Sequence, residues 1–150
     1  MKPKAQISDE QAIEAVIERQ FSSLSWTPGE SADWGTFKSD FFPDAPLYPA
    51  IRPVKQQSVN AFIKRLSGLA ETNLRSFDEK VLGTEVRVFG NVAVAVAGCE
   101  TVENETEVNR GVEMLLLVKD AGRWRIAGQA WDSESDEVKV PPYLKGVEGT

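Results

Sequence analysis

The chain has no histidine and a single cysteine, Cys99, in 150 residues. The missing histidine excludes Ser-His-Asp and Cys-His catalysis and the commonest transition-metal ligand. One cysteine forms no intrachain disulfide, so a reducing compartment such as the cytoplasm suits the chain. No apolar run reaches the ~18 residues of a membrane span. No apolar stretch follows the lysines of residues 1–8, as a secretory leader would require. Basic clusters are missing as well: 17 Lys and Arg stand against 23 Asp and Glu, a net charge of −6. That balance speaks against nucleic acid and against anionic membrane as partners. Acid–base chemistry is left to Asp, Glu, Tyr, Lys or the one thiol, and no cofactor and no metal are expected. Repeats, linkers and low-complexity tracts are absent too. A length of 150 residues then predicts a single domain, with a core over about 8–132 and a tail over 133–150.

What is present divides into a helical half and a strand half. Ser8-Asp9-Glu10-Gln11 reads as a capping box, followed by Ile13, Val16, Ile17, Phe21 and Leu24 at helical spacing. Pro28-Gly29 ends that helix. A second, shorter helix is expected over Ala32 to Phe42 and is stopped by Pro43. Four prolines keep 43–53 irregular, with a short strand at Leu47-Tyr48. Ser58 caps a third helix whose buried face is Val59, Phe62, Ile63, Leu66 and Leu69. From Phe77 the period changes to two. Strands are predicted at about 77–89, 92–102, 107–119 and 123–132, divided by Gly90-Asn91, Glu103-Asn104-Glu105 and Asp120-Ala121-Gly122. Three N-terminal helices packed on a curved antiparallel sheet make an α+β fold.

Turn lengths suggest which side chains share a face. If Asp120-Ala121-Gly122 is a three-residue loop, Lys119 pairs with Arg123, Leu116 with Ile126, Met114 with Gly128 and Arg110 with Asp132. If Val102 also pairs with Glu107, then Ala93, Ala95, Ala97 and Cys99 join that face. Its small residues make it the expected concave face and pocket floor. The other face would carry Val92, Val94, Val96, Leu115 and Leu117, with Glu113 across from Gln129. It is too apolar to face water, so a homodimer through the convex sheet face is expected.

Several residues are candidates for a site, each with a structural alternative. Arg110 and Asp132 read as a charged pair at the cone's mouth, Arg110 orienting an anionic or carbonyl group and Asp132 acting as base; the alternative is an ion pair closing the sheet edge. Trp34, Tyr48 and Asp40 could line the pocket from the helical side. Tyr48 would donate to a ligand oxygen, and Asp40 is a second candidate base; the alternative makes the aromatics core residues with a polar tip. Met114 belongs to the predicted pocket floor. Glu113 and Gln129 read as a buried hydrogen-bonded pair at the dimer interface, or as an acid and its orienting partner. Cys99 reads as a small core residue. Glu100, Glu103, Glu105 and Glu107 read as a solvated hairpin tip.

Arg110-Gly111, Leu116, Asp120, Gly122-Arg123-Trp124, Ile126, Trp131 and Glu134, with the ending Val140-Pro141-Pro142-Tyr143-Leu144, resemble one bacterial branch of the nuclear transport factor 2-like superfamily. The resemblance extends along nearly the whole chain. It implies a cone of the kind found in ketosteroid isomerases, scytalone dehydratases, limonene epoxide hydrolases and polyketide cyclases, but also in binding and assembly modules, and it implies a dimer. Where such relatives carry a catalytic histidine on the late strands, this chain has Gly128, Gln129 and Ala130, so that chemistry does not transfer. Three readings follow. The first is an apolar pocket that binds a small, apolar or carbonyl-bearing molecule. The second is a cofactor-independent isomerase, dehydratase or cyclase using a carboxylate base. The third is an assembly module with a filled cone.

Overall fold

The structure, a computed structural model, describes residues 7–145. The expectations for 1–6 and for the end of the tail, 146–150, lie outside the described residues. Helix α1 (Asp9–Ser23) opens on the capping box: Gln11 N donates to Ser8 Oγ at 3.1 Å and Ser8 N to Gln11 Oε1 at 3.0 Å. Ile13, Val16, Ile17 and Phe21 form its buried stripe. Helix α2 (Trp34–Ser39) is shorter than its pattern suggests. Asp33 caps it by accepting from Thr36 N at 3.2 Å, which delays the start to Trp34. Strand β1 (Leu47–Tyr48) and helix α3 (Val59–Ala70) follow, the helix capped by Ser58 Oγ. No helix among the described residues is long and apolar enough to cross a membrane.

Strands β2 (Phe77–Phe89), β3 (Val92–Glu103), β4 (Glu107–Asp120) and β5 (Arg123–Ser133) form an antiparallel meander. β1 adds to its far edge, parallel to β5, giving a five-stranded sheet in the order β1-β5-β4-β3-β2. The fold is α+β, with the helices over one face of a mixed sheet. Ala93, Ala95 and Ala97 of β3 are buried on that face, and α1 packs mainly over the neighbouring strand β2.

The register differs from the expected one in two hairpins, and the difference decides what faces the helices. Ala121 and Gly122 both have positive φ, 52° and 77°, and form a two-residue turn in which Asp120 pairs with Arg123. The β3–β4 loop closes at Glu103–Glu107 rather than at Val102–Glu107. Asn104 holds it there, accepting from Arg75 N at 2.7 Å and donating to Asn73 O at 2.9 Å. The alanine face is therefore shared by Gly111, Glu113, Leu115 and Leu117, and Met114 and Leu116 turn outward. A shift of one residue exchanges the faces of a whole strand.

Two bulges add to this. In β2 the pairing passes from Gly83–Gly98 to Val81–Cys99, leaving Leu82 as an extra residue. In β5 it passes from Leu117–Ile126 to Leu116–Gly128, leaving Ala127 extra. Beyond each bulge the alternation restarts on the opposite face. Glu79 below the first, and Gln129 and Trp131 beyond the second, thus join the concave side.

The convex face keeps an exposed apolar strip of Val92, Val94, Met114 and Leu116. Its membership is corrected from the expected one, with Met114 and Leu116 in place of Leu115 and Leu117. The tail crosses one end of this face. Val140 and Leu144 are buried, and Tyr143 is exposed. Leu144 sits on Gly98, where a Cβ would collide with the Leu144 carbonyl oxygen.

Candidate functional site

Between the helices and the concave face lies a cavity of about 230 Å³. Phe37 and Phe41 from the α2 region, Phe62 and Leu66 from α3, and Trp131 from β5 make an aromatic and aliphatic wall. The rings pack on one another: Phe37 stacks on Phe62 at 5.6 Å, and Trp131 meets Phe62 edge-on at 5.6 Å. The cone is therefore open, not filled by Trp34, Tyr48 and Met114.

One side of this apolar cavity is polar. Gln20 of α1 and Gln129 of β5 exchange amide hydrogen bonds at 2.8 and 2.9 Å. The Gln129 amide also donates to Glu113 Oε1 at 2.5 Å. Glu113 neighbours Glu79, and Glu79 neighbours Cys99; one polar atom of each lies within 4.8 Å of the other two. All five side chains are buried and line the cavity. They form one chain of polar groups running from α1 across β5, β4 and β2 to β3.

No family model matches the chain, and no curated protein matches it in sequence. Solved structures do match. A nuclear transport factor 2-like protein of unknown function from Silicibacter pomeroyi aligns over 83% of this chain and 95% of its own, at 20% identity and a TM-score of 0.60. A scytalone dehydratase candidate from Novosphingobium aromaticivorans aligns over 93% of each chain, at 14% identity and a TM-score of 0.69. A nuclear transport factor 2-like superfamily protein from Salmonella enterica aligns over 85% of this chain and 92% of its own, at 19% identity and a TM-score of 0.68. The chain has the nuclear transport factor 2-like fold. The identities are low, so the likeness concerns the fold and not the chemistry.

The nuclear transport factor 2-like cone of this chain gathers few of the residues expected from sequence. Arg110 and Asp132 do not meet. Val112 is the cross-strand neighbour of Asp132, and Arg110 reaches along the convex side to Glu100 at 3.0 Å. Asp132 remains largely solvated and faces Arg52 at 3.8 Å. Both stand at the rim of the cavity rather than across its mouth. Asp40 is fully buried, but in a structural role: it accepts from Arg19 at 2.8 and 2.9 Å and from Arg123 at 3.3 Å, tying α1 and β5 to the end of α2. With its oxygens occupied and no place on the cavity wall, it is not available as a base. Tyr48 points away, its hydroxyl donating to Gln56 at 2.9 Å; Leu47 beside it lines the cavity. Trp34 packs edge-on against Phe37 at 5.5 Å, behind the wall. Met114 is 58% exposed on the convex side. Glu113 and Gln129 are paired as expected, but inside the cone instead of at an interface.

Glu79 was missed, and its signal is faint. Counting from a two-residue turn at Gly90-Asn91 without a bulge puts it opposite Val102 on the outer face. Only the extra residue Leu82 brings it opposite Thr101 and inward.

Burial sets the protonation of this cluster. It pushes the Glu79 carboxyl up to about 7, against the hydrogen bonds with Cys99 and Glu113 that favour its ionised form. Glu113 is raised well above its ordinary value, first by burial and then by the charge of Glu79. The contact with the Glu79 carboxyl raises it further, while the hydrogen bond from the Gln129 amide works the other way. Burial likewise raises the Cys99 thiol far above the ordinary range. Glu79, Cys99 and Glu113 are the one group of three potential metal ligands among the described residues. With thiol and acid both held protonated, a metal would have to displace their protons against the same burial. The arrangement suits proton exchange better than metal binding.

The folded state thus binds a proton that the unfolded chain releases near the ordinary value of 4.5. The stability this proton gives is fully present below that value and is lost as pH rises through about 7. Replacing Glu79 with Gln removes the loss. Urea unfolding should show Glu79→Gln more stable than wild type at about pH 8 by on the order of 3 kcal/mol at most, with the difference vanishing at about pH 4. An equal slope with pH in both proteins would contradict the assignment.

Proposed function

We propose that the cone binds a small, mostly apolar molecule, with the Glu79–Glu113 pair meeting its one polar group. The observation behind this reading is the coexistence of an open cavity of about 230 Å³ and a buried acid pair on its wall. Buried polar groups without full partners are costly in a structural core. A ligand that completes their hydrogen bonds gives them a reason to be there.

A second reading is favoured by the same pair. A carboxyl raised to about 7 is poised as a general base near neutral pH, and a protonated neighbour is poised as the acid. Such a pair suits a cofactor-independent isomerase, dehydratase or cyclase acting on a carbonyl compound. The scytalone dehydratase candidate of the same fold is in keeping with it. Glu79 takes the role of base in place of Asp132 and Asp40, and Glu113 that of donor in place of Tyr48. Native mass spectrometry of freshly isolated protein should find a co-purified small molecule. Leu66→Trp, which adds bulk at the cavity wall, should abolish its retention without loss of far-UV ellipticity. Retention unchanged by that substitution would refute the pocket.

We also propose that two copies associate through the convex face. Val92, Val94, Met114 and Leu116 form an apolar strip there, flanked by the Glu85–Arg87 pair of β2 and bordered at one end by the Glu100–Arg110 pair. A strip of this kind is complementary to itself across a twofold axis. Sedimentation should give a dimer mass for the wild type and a monomer for Leu116→Glu; a wild-type monomer at micromolar concentration rules the association out.

A further inference from the structure

The polar wall of the cavity is unbalanced in a way that points to one class of ligand. Glu79 and Glu113 together offer four carboxyl oxygens. The donors that face them are few: one amide N–H of Gln129, the weak Cys99 thiol, and the proton held by Glu113 itself. Gln20 donates to Gln129, and the Ser25 hydroxyl donates to the Phe21 carbonyl while accepting from the Glu79 backbone N–H. No backbone N–H reaches either carboxyl among the described residues.

Cations are near but engaged elsewhere. Arg110 holds Glu100 at 3.0 Å on the convex side. Arg65 lies over the Phe62 ring at 5.6 Å. Lys80 faces Glu100 at 3.6 Å. No Lys or Arg nitrogen among the described residues is within ion-pair distance of Glu79 or Glu113. The remaining charged groups at the rim, Glu103 and Asp132, are acidic. Contrast Asp40, equally buried, which has two arginines. Where this fold buries a carboxylate for structure, it supplies a counter-ion; in the cavity it supplies none.

The rest of the wall is aromatic and aliphatic. Phe37, Phe41, Phe62, Leu66 and Trp131 line the same space, and such a surface takes hydrocarbon. A carboxylate without a counter-ion beside an apolar wall complements a cation carried on a hydrocarbon body.

We propose that the cone selects a small organic amine, bound as its ammonium ion with Glu79 as counter-ion and its hydrocarbon part against the phenylalanines and Trp131. This rests on the reading of the cavity as a binding pocket and goes beyond it in naming the charge of the ligand. The cavity equals the space of about eight waters, which suits a single ring with a short side chain. The ammonium donates up to three hydrogen bonds, which fills the acceptors that the protein leaves open. A neutral carbonyl ligand would need the pair to donate, which Glu79 does only while protonated; an anion placed at the pair would meet acid on acid.

The two charge types have opposite pH signatures. Ammonium binding requires ionised Glu79, so affinity should rise as pH passes through about 7 and binding should expel a proton below it. A ligand that accepts from the protonated pair should weaken over the same interval.

Three probes of nearly equal shape test this: phenethylamine, phenethyl alcohol and phenylacetate, titrated calorimetrically into the full chain. Phenethylamine should bind tighter than the alcohol by on the order of tenfold or more, and phenylacetate should bind most weakly. From about pH 6 to about pH 8 the amine affinity should rise about tenfold, with proton release seen as a dependence of the heat on the buffer. Glu79→Gln should abolish both the amine preference and its pH dependence while the alcohol still binds. The wild-type pH slope is independent of whether that variant folds. Binding of the alcohol or phenylacetate as tightly as the amine, or an amine affinity that falls with pH, overturns the inference and leaves the pocket standing. Failure of all three to bind overturns the pocket and the inference together.

Discussion

A side chain on a β-strand faces the core or the solvent according to a single residue of register, and the chemistry of this cone depends on that parity. Four local features set it: the two-residue turn at Ala121-Gly122, the loop 104–106 held by Asn104, and the extra residues Leu82 and Ala127. Remove either bulge and a carboxyl or an amide leaves the cavity for the outer face. Glu79, Glu113 and Gln129 come from three strands, and all three face the cavity only with these features in place.

Burial then turns this geometry into electrostatics. The helices cover the alanine face of β3 closely, and the rings of α2 and α3 close the other side of the cavity. In that enclosure the charged forms lose their hydration, which keeps Glu113 and Cys99 protonated and leaves Glu79 near neutrality. The same fold treats Asp40 differently. Two arginines surround it, and it serves to fasten α1, α2 and β5. The two carboxylate sites differ in the presence of a counter-ion, not in the depth of burial.

Much of the architecture was legible in the residues. Ser8 and Ser58 cap the helices they were expected to cap, and the stripe Ile13-Val16-Ile17-Phe21 faces inward. The four long strands agree with the change of period at Phe77 to within a residue at each end. These features are local, set by caps, turns and alternation. The site was less legible. Glu113 and Gln129 stood out as polar residues in apolar strands, but the assumed loop lengths put them outside. Glu79 sat in the charged run Asp78-Glu79-Lys80 and gave no sign of burial.

The sequence by itself narrowed the class of chemistry: without histidine, and with one thiol, acid–base work is left to Asp, Glu, Tyr, Lys or that thiol. It also determined the three-helix and meander order, because capping and periodicity act over a few residues. Which carboxyls face the cavity was decided only by the tertiary structure. Bulges and turn types depend on contacts such as Asn104 with residues 73–76, between segments about thirty positions apart, and strand alternation transmits each one-residue choice along the whole strand.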